Sequence, residues 1–158
     1  MLPLSPPLNV SVVIPIYNEE ANVAELVARV GTAMLRTGKT FELICVDDGS
    51  RDGSAAALEA IAAERPWLKP LYLIRNYGQS AALQAGFDAA QGEIIVTLDG
   101  DLQNEPDDVP ELLKILDERP GGCDFRLAQG APGPHRVAQA PLGGGQCGHL
   151  ERDGREAP

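Results

Sequence analysis

Long apolar stretches and paired cysteines are what this sequence lacks. No run approaches the roughly 18 apolar residues of a membrane-spanning helix, and no basic segment followed by an apolar stretch opens the chain as in a signal peptide. The three cysteines are far apart and odd in number, which favours reduced thiols over a disulfide framework. We therefore predict a soluble, cytoplasmic protein, for which docking at a membrane surface stays open.

Basic residues are also scarce. The chain has 13 Lys and Arg against 23 Asp and Glu, a formal net charge of −10. This charge argues against a nucleic-acid partner, because nucleic-acid binding needs a basic surface. A protein with this net negative charge can bind an anionic ligand only where a metal ion or a helix N-terminus offsets the negative charge locally. The 158 residues suffice for one domain with a sizeable core.

Strand and helix patterns alternate four times between residues 8 and 125. Near-continuous apolar runs indicate buried strands, and apolar residues at helical spacing indicate helices. This alternation predicts an α/β fold with a mostly parallel sheet and helices on both faces. The predicted strands are 8–16, 41–48, 70–74 and 93–99, and the predicted helices are 19–36, 54–64, 80–91 and 106–118.

Polar side chains follow every predicted strand. In an open α/β sheet, ligands bind outside the carboxyl ends of the strands, so the four polar sets should meet at one edge. A single set could be an ordinary cap, but four converging sets rich in acids indicate a ligand site. The sets are PIYNEE at 15–20, DDGS at 47–50, RNYGQ at 75–79 and DGDLQ at 99–103.

The last of these sets places two carboxylates, Asp99 and Asp101, on either side of Gly100. The glycine lets the backbone bend without a Cβ clash, and Gln103 could add a neutral oxygen. Such hard oxygen ligands suit Mg²⁺ or Mn²⁺ and leave positions for substrate phosphates. The alternative is a solvated acidic turn that caps the helix predicted at 106–118.

Asp47 and Asp48 admit two interpretations. Adjacent acids after a buried strand can form an Asx turn and lead into the next helix, with Ser54 as its N-cap. Alternatively, one carboxylate accepts hydrogen bonds from a nucleobase or a sugar while the other faces the protein. Asn18 and Glu19 could likewise be no more than a helix cap.

Four motifs in this order, PIYNEE, VDDGSRDGS, RNYGQSAALQAGFDAAQGE and TLDGDLQNEP, resemble the nucleotide-binding half of family 2 glycosyltransferases. The resemblance covers residues 8–125 and is strongest to the dolichyl-phosphate mannosyltransferase and polyprenyl-phosphate glycosyltransferase branch. It implies a GT-A fold, a UDP- or GDP-sugar donor and a divalent metal, Mg²⁺ or Mn²⁺. It also implies inverting transfer to a polyprenyl phosphate at the cytoplasmic membrane face.

The resemblance further implies roles for individual residues. Asp99 and Asp101 would be catalytic and would hold the metal together with Gln103, while Val46 and Asp48 would contact the base. The metal would neutralise charge on the leaving nucleoside diphosphate. The full set of implied nucleotide-sugar contacts is Pro15, Tyr17, Glu19, Val46, Asp48, Asp99, Gly100 and Asp101.

Residues 126–158 differ in character from the rest of the chain. They contain seven Gly and four Pro in 33 positions and no Ile, Phe, Trp, Tyr or Met. Such a segment buries too little apolar surface to offset its ordering entropy, so we predict a disordered tail after a nucleotide-sugar-binding half at 1–125. His135 and His149 lie in this tail, and we predict no catalytic role for either.

Two other functions remain open. A chain ending in this tail could bind a nucleotide-sugar and catalyse nothing. A Mg-dependent phosphotransferase could use Asp99 as a nucleophile, but such enzymes commonly place their acid pair after the first strand, whereas this pair follows the fourth predicted strand.

The chain departs from the family after Phe125, where a basic segment would supply the acceptor site, diphosphate-binding Arg or Lys and membrane-docking helices. Suitable codons for RLAQGAPGPHRVAQAPLGGGQCGHLE, read one nucleotide out of phase, give VSRKERQDRTVSRKLPSVVANAVIS, which resembles the missing segment. We therefore hypothesise truncation or a frameshift by a single-base insertion near the codon for Arg126. DNA sequencing across this codon should yield the basic segment in the shifted frame, and codons that do not encode it refute the hypothesis.

Overall fold

The computed structural model describes residues 7–103, 105–118 and 136–139. Its strands form one parallel five-stranded sheet in the order β3-β2-β1-β4-β5. The strands are β1 (Val10–Ile16), β2 (Phe41–Asp47), β3 (Leu68–Tyr72), β4 (Ile94–Thr97) and β5 (Arg136–Gln139). The helices are α1 (Glu20–Thr37), α2 (Ser54–Glu64), α3 (Gln79–Ala89) and α4 (Val109–Glu118), and a 3-10 turn at Pro106–Asp108 precedes α4.

The predicted α/β class and all eight predicted elements are confirmed. Strand β3 spans Leu68–Tyr72, two residues earlier than the predicted 70–74. The prediction followed the apolar residues to Ile74, but pairing with β2 ends at Tyr72. Ile74, the end of that run, is 92% exposed. Apolar character alone therefore misplaced the end of this edge strand.

The described part of the C-terminal segment differs from the prediction of a disordered tail. Residues 136–139 form β5, which pairs in parallel with β4. The strand forms backbone hydrogen bonds at the sheet edge and buries Ala138 against the core. The prediction rested on the average composition of 33 residues, which does not show that four of them can pair with the sheet. The rest of 126–158, including both histidines, lies outside the described residues.

Alternating side chains of β1 explain why helices cover both faces of the sheet. Val12 and Ile14 contribute to a core with α1, α2 and α4, whereas Val13 packs on the opposite face with α3. The near-continuous apolar sequence of this strand therefore reflects burial on both sides. No helix in the described ranges is long and apolar enough to cross a membrane.

Cys45 illustrates the depth of this core. Its thiol is free and fully buried in β2, and burial raises the pKa of this group to about 12. A thiol that stays protonated at neutral pH is a poor nucleophile and metal ligand. Cys45 is therefore a core residue, and Cys123 and Cys147 lie outside the described residues.

The strand order creates a crevice at one point of the sheet. The chain runs outward from β1 to β2 and β3 and then returns to place β4 on the other side of β1. The connections after β1 and β4 therefore leave in opposite directions. A crevice at the carboxyl ends of such strands is where open α/β sheets bind ligands.

Gly86 sets how closely α3 approaches the sheet. A Cβ at this position would overlap the Val13 side chain and lie 3.3 Å from Cγ2 of Val46. A Gly→Ala change in a helix normally gains about 0.5–1 kcal/mol, but overpacking costs about 1–3 kcal/mol. We expect Gly86→Ala to lower the free energy of unfolding in a denaturant titration. Ser80→Ala on the exposed side of α3 is the control, and a stabilised Gly86→Ala variant would contradict this packing.

Candidate functional site

A cleft of about 420 Å³ opens at the carboxyl ends of the strands. The segments after β1, β2, β3 and β4 all contribute to it, as the sequence predicts for this edge of the sheet. Its lining residues are Pro15, Ile16, Tyr17, Glu19, Asp48, Asn76, Gly78, Gln79, Asp99, Gly100 and Asp101.

Most of the predicted site residues line this cleft, but two do not. Val46 is fully buried and packs in the core beneath α3, so its side chain does not reach the cleft. Gln103 is exposed, and its backbone N–H donates to Oδ1 of Asp101 at 3.1 Å. The predicted roles of Val46 at the base and of Gln103 at the metal therefore have no support from their positions.

Four lining residues were not among the individually predicted site residues: Ile16, Asn76, Gly78 and Gln79. Ile16 is the last residue of β1, and the other three follow β3, in the polar set RNYGQ that is predicted to converge on the ligand site. The signal that could have found them was the convergence of strand ends itself. The resemblance to the glycosyltransferase family had suggested no role for this loop.

Gly100 holds the acid pair against β1. A Cβ on Gly100 would lie 2.7 Å from the carbonyl oxygen of Pro15 and 3.0 Å from Cδ1 of Ile16, so the position has no room for a side chain. The turn continues through Leu102, whose φ of 60° is unusual for a residue with a side chain. Leu102 packs against the core and so fixes the turn that carries Asp101.

The loops after β1 and β2 are hydrogen-bonded to each other. The Asn18 N–H donates to Oγ of Ser50, and the Arg51 N–H donates to Oδ1 of Asn18, both at 2.9 Å. The Glu19 N–H donates to Oγ of Ser54, also at 2.9 Å. Much of the polar sequence in these two motifs therefore serves to fix the two loops as one unit.

The N-cap position of α2 is occupied by Gly53, not by the predicted Ser54, and the side chain of Asp52 accepts from the start of the helix. Ser54 is the first residue of α2, and its N–H and Oγ both donate to Oδ1 of Asp52. The hydrogen bond from the Ser54 hydroxyl is the main reason that the pKa of Asp52 is lowered. The Glu20 N–H donates to the second oxygen of Asp52 at 3.2 Å, and the Gly53 N–H donates to Oε2 of Glu20 at 3.0 Å.

The two adjacent aspartates have different roles. Asp47 is buried, and its Oδ2 accepts from the N–H of Ser50, three residues on, at 3.2 Å. Asp48 lines the cleft, and its Oδ1 accepts from the Tyr77 N–H at 2.8 Å. Its Oδ2 accepts from the Gly78 N–H at 2.9 Å and from Nδ2 of Asn76 at 3.2 Å. The Asp48 carboxylate thus anchors the loop after β3.

Two arginines on α1 hold the segment that follows the acid pair. Arg29 pairs with Glu105, and Arg36 pairs with Asp107 at 2.5 Å. The hydrogen bond to Glu105 is the largest cause of the raised pKa of Arg29. Exposed ion pairs add little to the stability of a fold, so these contacts position the segment more than they stabilise the protein.

Four carboxylates line the cleft, those of Glu19, Asp48, Asp99 and Asp101, and the described lining residues include no Lys or Arg. Glu19 accepts from Nδ2 of Asn22 at 2.7 Å, and Asp48 is occupied by the loop after β3. Glu19, Asp99 and Asp101 each accept a single hydrogen bond and so retain most of their acceptor capacity. Excess negative charge with free oxygen acceptors favours a cation at this position.

A divalent cation fits the donors of Asp99 and Asp101. Mg²⁺ is usually held by one or two carboxylates, with waters and substrate phosphates completing its coordination. Within the described ranges, no group of three or more His, Cys, Asp or Glu forms a complete protein cage. The cation would therefore depend on oxygens of a bound ligand.

A parallel α/β sheet with a cleft at its switch point defines a class of fold that binds ligands at the carboxyl ends of its strands. The sequence profile of glycosyl transferase family 2 matches residues 11–139, and the chain belongs to this family. The match extends beyond residue 125 into the segment assigned above to the tail. The match to this family also argues against the alternative function, a phosphotransferase with a nucleophilic aspartate.

A curated relative aligns with about two thirds of this chain. An undecaprenyl-phosphate 4-deoxy-4-formamido-L-arabinose transferase of Pseudomonas aeruginosa is 52% identical over 107 residues, which are 66% of this chain and 31% of the relative. This chain therefore spans about a third of that relative's length.

Two solved structures resemble the fold. A mannosyltransferase from Pyrobaculum calidifontis in complex with GDP-Man and Mn²⁺ has a TM-score of 0.61 and 29% identity, covering 72% of this chain and 33% of that one. A glucosyl-3-phosphoglycerate synthase from Mycobacterium tuberculosis with Mn²⁺, UDP and phosphoglyceric acid has a TM-score of 0.58 and 28% identity, covering 74% and 41%. The GT-A fold implied by the sequence is confirmed.

The anchoring role of Asp48 can be measured by amide hydrogen exchange. Asp48→Ala removes the acceptor for the Tyr77 and Gly78 N–H groups, and each lost hydrogen bond is worth about 1 kcal/mol. We expect exchange at these two amides to accelerate about fivefold or more, because the loop opens more easily. Asp88→Ala on α3 is the control, and unchanged exchange at both amides would refute the anchor.

Proposed function

We propose that this chain carries the donor site of a glycosyltransferase that moves a sugar from a nucleoside diphosphate to a polyprenyl phosphate. The donor is a UDP- or GDP-sugar, and a bound Mg²⁺ or Mn²⁺ assists the transfer, which inverts the anomeric centre. The observation that carries the proposal is the acid pair Asp99–Asp101, which keeps free acceptor oxygens in a cleft formed by four strand ends.

The cleft residues suit separate parts of such a donor. Asp99 and Asp101 would hold the cation, which when bound neutralises charge on the leaving nucleoside diphosphate. Tyr17 is 42% exposed at the cleft and offers an aromatic face to a base or sugar. Pro15 and Glu19 complete that wall, and Asp48 keeps the opposite loop in place.

The acceptor is proposed from the relatives. The arabinose transferase of Pseudomonas aeruginosa is named for an undecaprenyl-phosphate acceptor, and we extend this acceptor class to the present chain on the family relationship alone. A phosphate acceptor is already an anion, so transfer to it does not require a strong general base. We place the reaction at the cytoplasmic face of the membrane, where the family's acceptors are expected.

A second candidate function is donor binding without turnover. The described cleft has no basic side chain to share the charge of a diphosphate with the metal. Transfer depends on stabilising that developing charge, whereas binding needs only the cation and the nucleoside contacts. Assays of turnover and of binding on the same chain separate the two functions.

Titration calorimetry with UDP and GDP, each with and without Mn²⁺ or Mg²⁺, tests the donor site directly. We expect metal-dependent binding of at least one nucleotide by the unmodified chain. Asp101→Asn should weaken this binding about tenfold or more, because a ligand to the cation is weakened and its charge is lost. Asp108→Asn is the control, since it removes the same charge from an exposed side chain outside the cleft.

Turnover is measured with undecaprenyl phosphate and radiolabelled UDP- and GDP-sugars. Formation of a lipid-linked sugar that Asp101→Asn abolishes would support the transferase. Nucleotide binding without any lipid-linked product would favour the binding function. Absence of metal-dependent nucleotide binding would contradict both.

A further inference from the structure

We infer that Gln79 is a positioning residue for the metal-binding aspartate Asp99, and that Asp48 holds Gln79 in place through the loop after β3. This inference rests on the proposed function, because it assigns Asp99 to a divalent cation. It assigns a specific role to Gln79, the first residue of α3, which belongs to the polar set predicted after β3.

The contact that carries the inference is a side-chain hydrogen bond across the cleft. Nε2 of Gln79 donates to Oδ1 of Asp99 at 3.3 Å, and both residues line the cleft. Gln79 is the first residue of α3, which is packed against the sheet through Gly86. The amide donor is therefore attached to a fixed element rather than to a free loop.

The loop that leads into α3 is hydrogen-bonded to Asp48, the residue that follows β2. The Asp48 carboxylate accepts three hydrogen bonds from Asn76, Tyr77 and Gly78, the residues just before Gln79. A Cβ on Gly49 would overlap the backbone of Arg75, so the two loops are in direct contact at a second point. Hydrogen bonds and close packing thus independently fix the start of α3.

An amide is suited to this position for a chemical reason. Gln79 donates a proton to one oxygen of Asp99 without bringing another charge, which leaves the remaining acceptor sites of the carboxylate for a cation. Carboxylates that ligate metals are commonly oriented by such partners, whose removal typically weakens metal affinity about 10–100-fold. A lysine here would repel the cation, and a glutamate would repel Asp99.

Gln84 provides a matched control on the same helix. Its Nε2 donates to Oδ1 of Asp88 at 2.9 Å, and both residues are exposed and lie outside the cleft. Gln79→Met and Gln84→Met remove the same donor from the same kind of pair. Methionine keeps a similar length and a good helix propensity, so both variants should unfold at the temperature of the unmodified chain.

The experiment measures Mn²⁺ dissociation constants by titration calorimetry and by electron paramagnetic resonance of free Mn²⁺, with UDP and in parallel with GDP. We expect Gln79→Met to weaken Mn²⁺ binding about tenfold and Gln84→Met to change it less than about twofold. In an Asp99→Asn background, Gln79→Met should have no further effect, since Gln79 acts through Asp99.

The outcomes separate the inference from the proposed function. Equal Mn²⁺ affinity for both glutamine variants, or effects of Gln79→Met and Asp99→Asn that simply multiply, would overturn the positioning role alone. An unmodified chain that binds no Mn²⁺ with either nucleotide would overturn the proposed function and this inference with it. A tenfold loss that disappears in the Asp99→Asn background supports both.

Discussion

Repulsion among carboxylates at one edge of the sheet is the constraint on which the rest of this structure depends. Parallel strands all end at the same edge, so acids placed after them are brought together by the fold itself. Backbone N–H groups answer part of this repulsion: Asp47 and Asp52 accept within their own loop, and Asp48 accepts from the loop after β3. Asp99 and Asp101 flank Gly100 in the cleft and each accept a single hydrogen bond, which makes this pair the candidate cation ligands.

The same donors explain why the cleft has a defined shape. Asp52 ties the loop after β2 to the start of α1, and Asp48 ties it to the loop after β3, so the segments after β1, β2 and β3 form a connected frame. Such charge-assisted hydrogen bonds are stronger than neutral ones. Of the two interpretations of DDGS at 47–50, the hydrogen bonds favour the structural one, and the contribution of this motif to a site is the placement of other residues.

The sequence predicts the fold well because each buried strand and amphipathic helix is visible locally. The sequence also predicts the cleft, because the carboxyl ends of parallel strands always lie at the same edge of the sheet. Val46 and Gln103 do not line the cleft, because family resemblance transfers a residue without its side-chain direction, and their roles at the base and the metal stay predictions. The predicted polar set after β3 includes Gln79, but the sequence does not reveal its hydrogen bond to Asp99, 20 positions away in the chain.

The turn that carries Asp99 and Asp101 is fixed by close backbone packing. Gly100 has no space for a Cβ beside the Pro15 carbonyl, so the spacing of Asp99 and Asp101 is enforced by backbone contact with β1. A solvated acidic turn that only caps a helix would need neither this contact nor the left-handed backbone of Leu102. Holding like charges at a fixed position costs free energy unless a cation is bound there. The rigidity of the turn is therefore itself an argument for a site that binds one.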